Sequence, residues 1–111
     1  MSDENINPHR AVNAIIEMAP KYAAARANRI YLEEYRKTLK AILMKSCPSL
    51  PIAAQEREAY ADERYQTHLE GLREAVEAEE TLRWMLVAAQ ARVEVWRSKE
   101  ATARAEGRAT Q

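Results

Sequence analysis

The chain has 111 residues, 47% hydrophobic and 31% charged, with two glycines, no phenylalanine and a formal net charge of zero. That apolar content is too high for a wholly disordered chain. The zero balance argues against a protein built around a large basic nucleic-acid surface. A length of this order supports one modest core, and the Ala, Glu, Arg and Leu bias leaves little material for strands.

The neutrality hides a division. Lys and Arg number eight against five Asp and Glu up to Pro51, three against nine from Ile52 to Glu80, and six against three from Thr81 onward. An acidic middle between two mildly basic ends suits a chain that folds back on itself. Cys47 is the single cysteine, so no intrachain disulfide and no cysteine-rich zinc site can form. Met1-Ser2-Asp3-Glu4-Asn5 is polar and acidic, which does not read as a secretory signal. No apolar run approaches the ~18 residues of a membrane span. These features predict a soluble, cytoplasmic protein.

Residues 1–6 read as a disordered tail. Asn7-Pro8 is a helix start, with Asn7 as cap and Pro8 at the first helical position. A short helix over about 8–18 follows, its apolar face made by Val12, Ile15, Ile16 and Ala19. Pro20 either kinks one helix or begins a second, since proline lacks the N–H and crowds the preceding turn; a break near Ala19 is the favoured reading. A second helix over about 20–45 carries a near-heptad seam of Ala25, Asn28, Leu32, Tyr35, Leu39 and Ile42.

Pro48 and Pro51 end that helix. Ser49 is a candidate cap for a short helix over about 51–60, with Gln55-Glu56-Arg57-Glu58 on its exposed face. Asp62 is the expected cap of a long helix over about 63–104, roughly 60 Å. Gly71 lies inside it at a cost of about 1 kcal/mol, which close approach of another backbone would justify. The seam of this helix is Tyr65, Leu69, Leu72, Ala75 or Val76, Glu79, Leu82, Leu86, Ala89, Val93 and Trp96. Residues 106–111 are expected to fray. The predicted fold class is all-α: one helical domain over residues 7–105, an antiparallel long-helix hairpin with short N-terminal and bend helices.

Glu79 falls on an apolar seam, and a buried carboxylate requires a partner. Antiparallel folding brings Arg29 near it, so Arg29 and Glu79 form the expected structural ion pair, with Arg83 as the local alternative. The same folding sets Lys37, Lys40 and Lys45 beside the acidic start of the long helix.

Between Leu82 and Arg97 the long helix is apolar on two sides. Leu82, Leu86, Ala89, Val93 and Trp96 make one stripe, and Trp84, Val87, Ala88, Ala91 and Val95 make another, roughly opposite. The first stripe closes the hairpin. The second meets the N-terminal helix, another subunit or both. A two-fold dimer forming a helical bundle is the simplest closure, which makes those five residues the candidate oligomer interface.

Chemistry-bearing motifs are sparse. His9 and His68 are the two histidines, and position 65 is Tyr where a helical metal motif needs Glu, so no metal site is expected. The carboxylate runs read as a solvated face, and no phosphate loop, nucleophile triad or cofactor motif occurs. Neither catalytic nor cofactor-binding residues are assigned. Tyr22, Tyr31 and Tyr35 among Arg26, Arg29 and Arg36 offer an alternative function as a single-stranded DNA-binding accessory. The acidic residues Glu56, Glu58, Asp62, Glu63, Glu70, Glu74 and Glu77 offer a face for a basic protein partner.

The segments Tyr31-Leu32-Glu33-Glu34-Tyr35-Arg36-Lys37, Gln55-Glu56-Arg57-Glu58-Ala59-Tyr60-Ala61 and Leu82-Arg83-Trp84 through Val95-Trp96-Arg97 resemble those of small bacteriophage-encoded helical proteins of unknown function. The resemblance covers most of residues 8–104. It implies a setting, the bacterial cytoplasm during infection, among early genes for replication, recombination or host takeover. It implies no activity and no functional residue. The expected function is therefore a non-enzymatic interaction factor acting on a host or phage protein.

Overall fold

The computed structural model describes residues 6–110, and every regular element among them is a helix. The elements are α1 (Pro8–Lys45), α2 (Ile52–Ala61) and α3 (Glu63–Ala109). Of the expected tail at residues 1–6, all but Ile6 lies outside the described residues, as does Gln111. The contacts divide the chain into two compact units. One is Ala23–Glu80; the other joins Met1–Tyr22 to Thr81–Gln111.

Asn7 begins α1 as a side-chain cap: its Oδ1 accepts from the backbone N–H groups of His9 at 3.0 Å and Arg10 at 3.2 Å. The expected break at Pro20 does not occur. One helix of 38 residues replaces the two predicted over 8–18 and 20–45. Proline deprives the Ile16 carbonyl of its helical donor, at a cost of about 3 kcal/mol in an isolated helix. Pro20 and Ile16 are both exposed, so water can hydrate that carbonyl. The good helix formers on either side carry the helix through.

Within Ala23–Glu80, α1 and α3 run antiparallel, with α2 at the bend. Leu43, Ala59 and Tyr65, one from each helix, form the core, with Leu39 and Met44 against it. Tyr60 meets the Tyr65 ring edge-on at 5.2 Å between centroids. The residues turned inward on α1 are Ala25, Arg29, Leu32, Tyr35, Leu39 and Leu43. Asn28 and Ile42, expected on this seam, are exposed, and their neighbours Arg29 and Leu43 take those places.

Pro51, not Ser49, precedes α2, and no side chain caps it. The Gln55 amide instead donates to the Leu50 carbonyl at 2.9 Å. Asp62 separates α2 from α3. Its Oδ1 accepts from the Arg64 backbone N–H at 2.8 Å, capping α3, while its own N–H closes onto the Ala59 carbonyl at 3.2 Å.

The inward positions of α3 are Tyr65, His68, Leu72, Ala75, Glu79, Leu82, Leu86, Ala89, Val93 and Trp96, all buried or half-buried. They alternate strictly between steps of three and four, the coiled-coil pattern. Leu69, predicted for the seam, is exposed because only position 68 keeps that alternation. Gly71 is not a point of close approach, as a Cβ built there meets nothing within 4 Å. The helix also outruns its expected end at Arg104 and continues to Ala109. The run after Arg104 is Ala, Glu, Gly, Arg, Ala, whose single glycine does not stop a helix.

In the second unit, Ala11 and Ala89 are buried. Ala14, Ile15, Met18 and Tyr22 of α1 are half-buried, as are Leu82, Leu86, Val93 and Trp96 of α3. Within this unit the first turns of α1 face the Leu82, Leu86, Ala89 and Val93 side of α3. They do not cross to the opposite side of α3 as a separate helix would.

Candidate interaction surface

The uncovered stripe of α3 follows from that geometry. Positions 84, 88, 91 and 95 repeat the spacing of 82, 86, 89 and 93 two residues later, about 200° further round the helix. One partner helix cannot cover both. Trp84 is 59% exposed, Val87 39% and Val95 42%, and Ala88 and Ala91 are exposed between them. The guanidinium of Arg83 lies over the Trp84 ring, 4.6 Å from its centroid, a cation–π contact that holds the indole along the helix.

Beside this stripe runs a groove of about 450 Å³ lined by Ala14, Met18, Met85, Ala88 and Ala89, with Glu17, Lys21 and Arg92 at its rim. Its lining contributes thioethers and methyl groups and no convergent polar set. Such a surface can receive apolar side chains, with charged groups beside them. Among the described residues, no group of three or more His, Cys, Asp or Glu could hold a metal.

The ionic groups have a different distribution. Arg29 forks onto Glu79: Nε donates to Oε1 at 2.6 Å and Nη2 to Oε2 at 3.0 Å. Arg29 Nη1 also donates to Glu33 at 3.1 Å. Glu79 is 8% exposed, so it is a carboxylate held in the helix seam by a bidentate cation. The hydrogen bond to Glu79 raises the guanidinium pKa further above its ordinary value. Lys40, expected beside the start of α3, instead bridges to Glu56 on α2, and its ammonium lies 4.9 Å from the centre of the Tyr60 ring. The Glu56 hydrogen bond raises the Lys40 pKa. Lys37 pairs along its own helix with Glu34 at 3.5 Å.

The acidic candidates are scattered by these pairings. Glu56 is taken by Lys40, and Asp62 is hydrogen-bonded by the Arg64 guanidinium at 3.0 and 3.1 Å. Those bonds, with the Arg64 backbone N–H, lower the Asp62 pKa below the usual aspartate value. Glu70 and Glu77 flank Arg73 at 3.2 and 3.8 Å. Glu58, Glu63 and Glu74 are exposed.

His68 has a role that its sequence context did not signal. Its Nε2 lies 2.7 Å from the Leu32 carbonyl, and its ring packs 5.6 Å from that of Tyr35. Its place in the three–four alternation was the available clue.

No family model, curated protein or solved structure matches the chain. No helix among the described residues is long and apolar enough to cross a membrane.

Proposed function

We propose that this chain is a non-enzymatic helical interaction factor. It works through the outer face of α3, pairing with a second copy of itself and, so assembled, engaging a protein partner. The observation that carries the reading is the exposure of Trp84 with Val87 and Val95 on one stripe of a regular helix. A single exposed apolar residue is ordinary; a tryptophan and two valines in line over two alanines form a patch that water penalises and a protein surface relieves.

Charge supports the same choice. Arg29 and Lys40 are engaged by Glu79, Glu33 and Glu56, which subtracts from a nucleic-acid surface. The acidic residues are partly neutralised within the chain, leaving Glu58, Glu63 and Glu74 as proposed contacts to a basic partner. The setting we propose is the one the resemblance implies, the cytoplasm of an infected bacterium.

Sedimentation equilibrium of the wild-type chain and Trp84→Ala tests this reading. The wild type should self-associate at micromolar concentration. The variant should do so about tenfold more weakly or less, with unchanged helicity by circular dichroism. A strict monomer, or a variant that associates equally well, contradicts it. A partner captured from lysate by the wild type and lost with Trp84→Ala would show that its capture depends on that face or on the assembly it forms.

A further inference from the structure

Resting on that reading, we infer that the second copy docks parallel and in register, α3 against α3, along the seam Thr81, Trp84, Ala88, Ala91, Val95 and Ser98. The seam steps by three, four, three, four and three residues, the knobs-into-holes spacing of a two-stranded coiled coil. Every one of its residues is exposed. It sits opposite the α1-facing seam, so pairing there leaves the existing helix contacts intact.

The flanks decide the occupant and its direction. On one side of the seam stand Val87 and Glu94; on the other stand Met85, Arg92 and Lys99. In a parallel pair, each residue of the first flank meets the residue five places on in the other chain. Glu94 then faces Lys99 of the second copy, twice by symmetry, and Val87 meets the stem of Arg92. An antiparallel pair brings like flanks together and sets the Arg92/Lys99 side against itself. The surface is therefore complementary to its own copy in one orientation. A closed two-fold interface requires such self-matching, whereas a foreign partner does not. Glu94 also accepts a hydrogen bond from Arg97 at 3.0 Å within its own helix, an exposed partner that Lys99 of the second copy would share or replace. Ala88 and Ala91 let the two backbones approach closely at mid-seam, and each Trp84 ring covers Ala88 of the other copy. The seam is about five turns long, so a dissociation constant on the order of micromolar is expected.

Charge reversal tests the register. Glu94→Lys and Lys99→Glu should each weaken self-association about tenfold, because each sets like charges together at both symmetric positions. Mixing the two variants should restore association to near the wild-type level, since each supplies the other's missing partner. In a Cys47→Ser background, Ser98→Cys should form a chain-to-chain disulfide at its own position under mild oxidation. An antiparallel pair would hold those positions roughly 25 Å apart along the helix. If the wild type is monomeric at tens of micromolar, both this inference and the proposed self-association fall. If the wild type dimerises but mixing the variants restores nothing, or Ser98→Cys does not cross-link, the parallel register alone is overturned.

Discussion

The two compact units solve the problem of a helix pair differently. Ala23–Glu80 buries the larger side chains. It has a three-helix apolar core, a bidentate ion pair in the seam, a lysine held between a carboxylate and a tyrosine face, and a capped junction. The unit formed by Met1–Tyr22 with Thr81–Gln111 buries only two alanines among its described residues and leaves Val12, Ile16, Trp84, Met85, Val87 and Val95 exposed; Ala23–Glu80 also exposes large apolar side chains, Tyr31 and Ile52 most of all. The seam spacing is the same in both, so spacing does not make the difference. The difference is what surrounds the seam. Three helices with polar cross-links enclose a core, whereas two helices leave the far side of each uncovered. The larger buried core and the exposed tryptophan stripe thus belong to different lengths of the same helices.

That contrast can be broken from the side of the larger core first. Leu43 is the largest fully buried side chain, 2% exposed. Leu43→Ala should cost about 2–5 kcal/mol by urea unfolding, the largest effect expected of any single substitution here. Glu79→Ala removes the carboxylate and leaves Arg29 with Glu33 alone, with an expected loss of about 1–3 kcal/mol. Gly71→Ala acts in the opposite direction. The added methyl meets nothing and removes backbone freedom from the unfolded chain, so a gain of about 1 kcal/mol is expected. A loss there would show a neighbour that the geometry does not contain.

The smallest effect is at Asp62. Its pKa is lowered in the folded state, so its stabilisation is complete above the ordinary aspartate value. It disappears as pH falls from there through the lower folded value. Asp62→Ala should therefore melt slightly below wild type at neutral pH, and the two curves should converge in strong acid.

Particular residues show what was legible beforehand. Composition and period lead to an all-helical chain with a long helix pair, because alanine-rich heptads admit little else. Prolines 48 and 51 mark the bend, where two of them close together leave no helical alternative. Pro20 misleads because its penalty is local, while the continuity of a helix is decided by the residues on both sides and by the water available to the orphaned carbonyl. The seam at 28/29, 42/43 and 68/69 is ambiguous by one place, since adjacent candidates differ by only about 100°; at 42 and 69 the sequence offers an isoleucine and a leucine at the wrong one, and at 28 an asparagine reads as less costly to bury than the arginine beside it. The second stripe of α3 is visible as a pattern. Its exposure depends on whether α1 is one helix or two, which the pattern does not contain.

The fork between Arg29 and Glu79 acts as an alignment mark. Leucines and alanines on heptad spacing match almost as well after a slip of seven residues, so an apolar seam measures length poorly. A slip in one direction would set Arg29 against Leu72 and strand two charges among methyl groups. The pair thereby admits a single alignment of α1 on α3. Strengthening the net stability of the seam by replacing both charges with leucine would remove the sharpest gradation on its ruler.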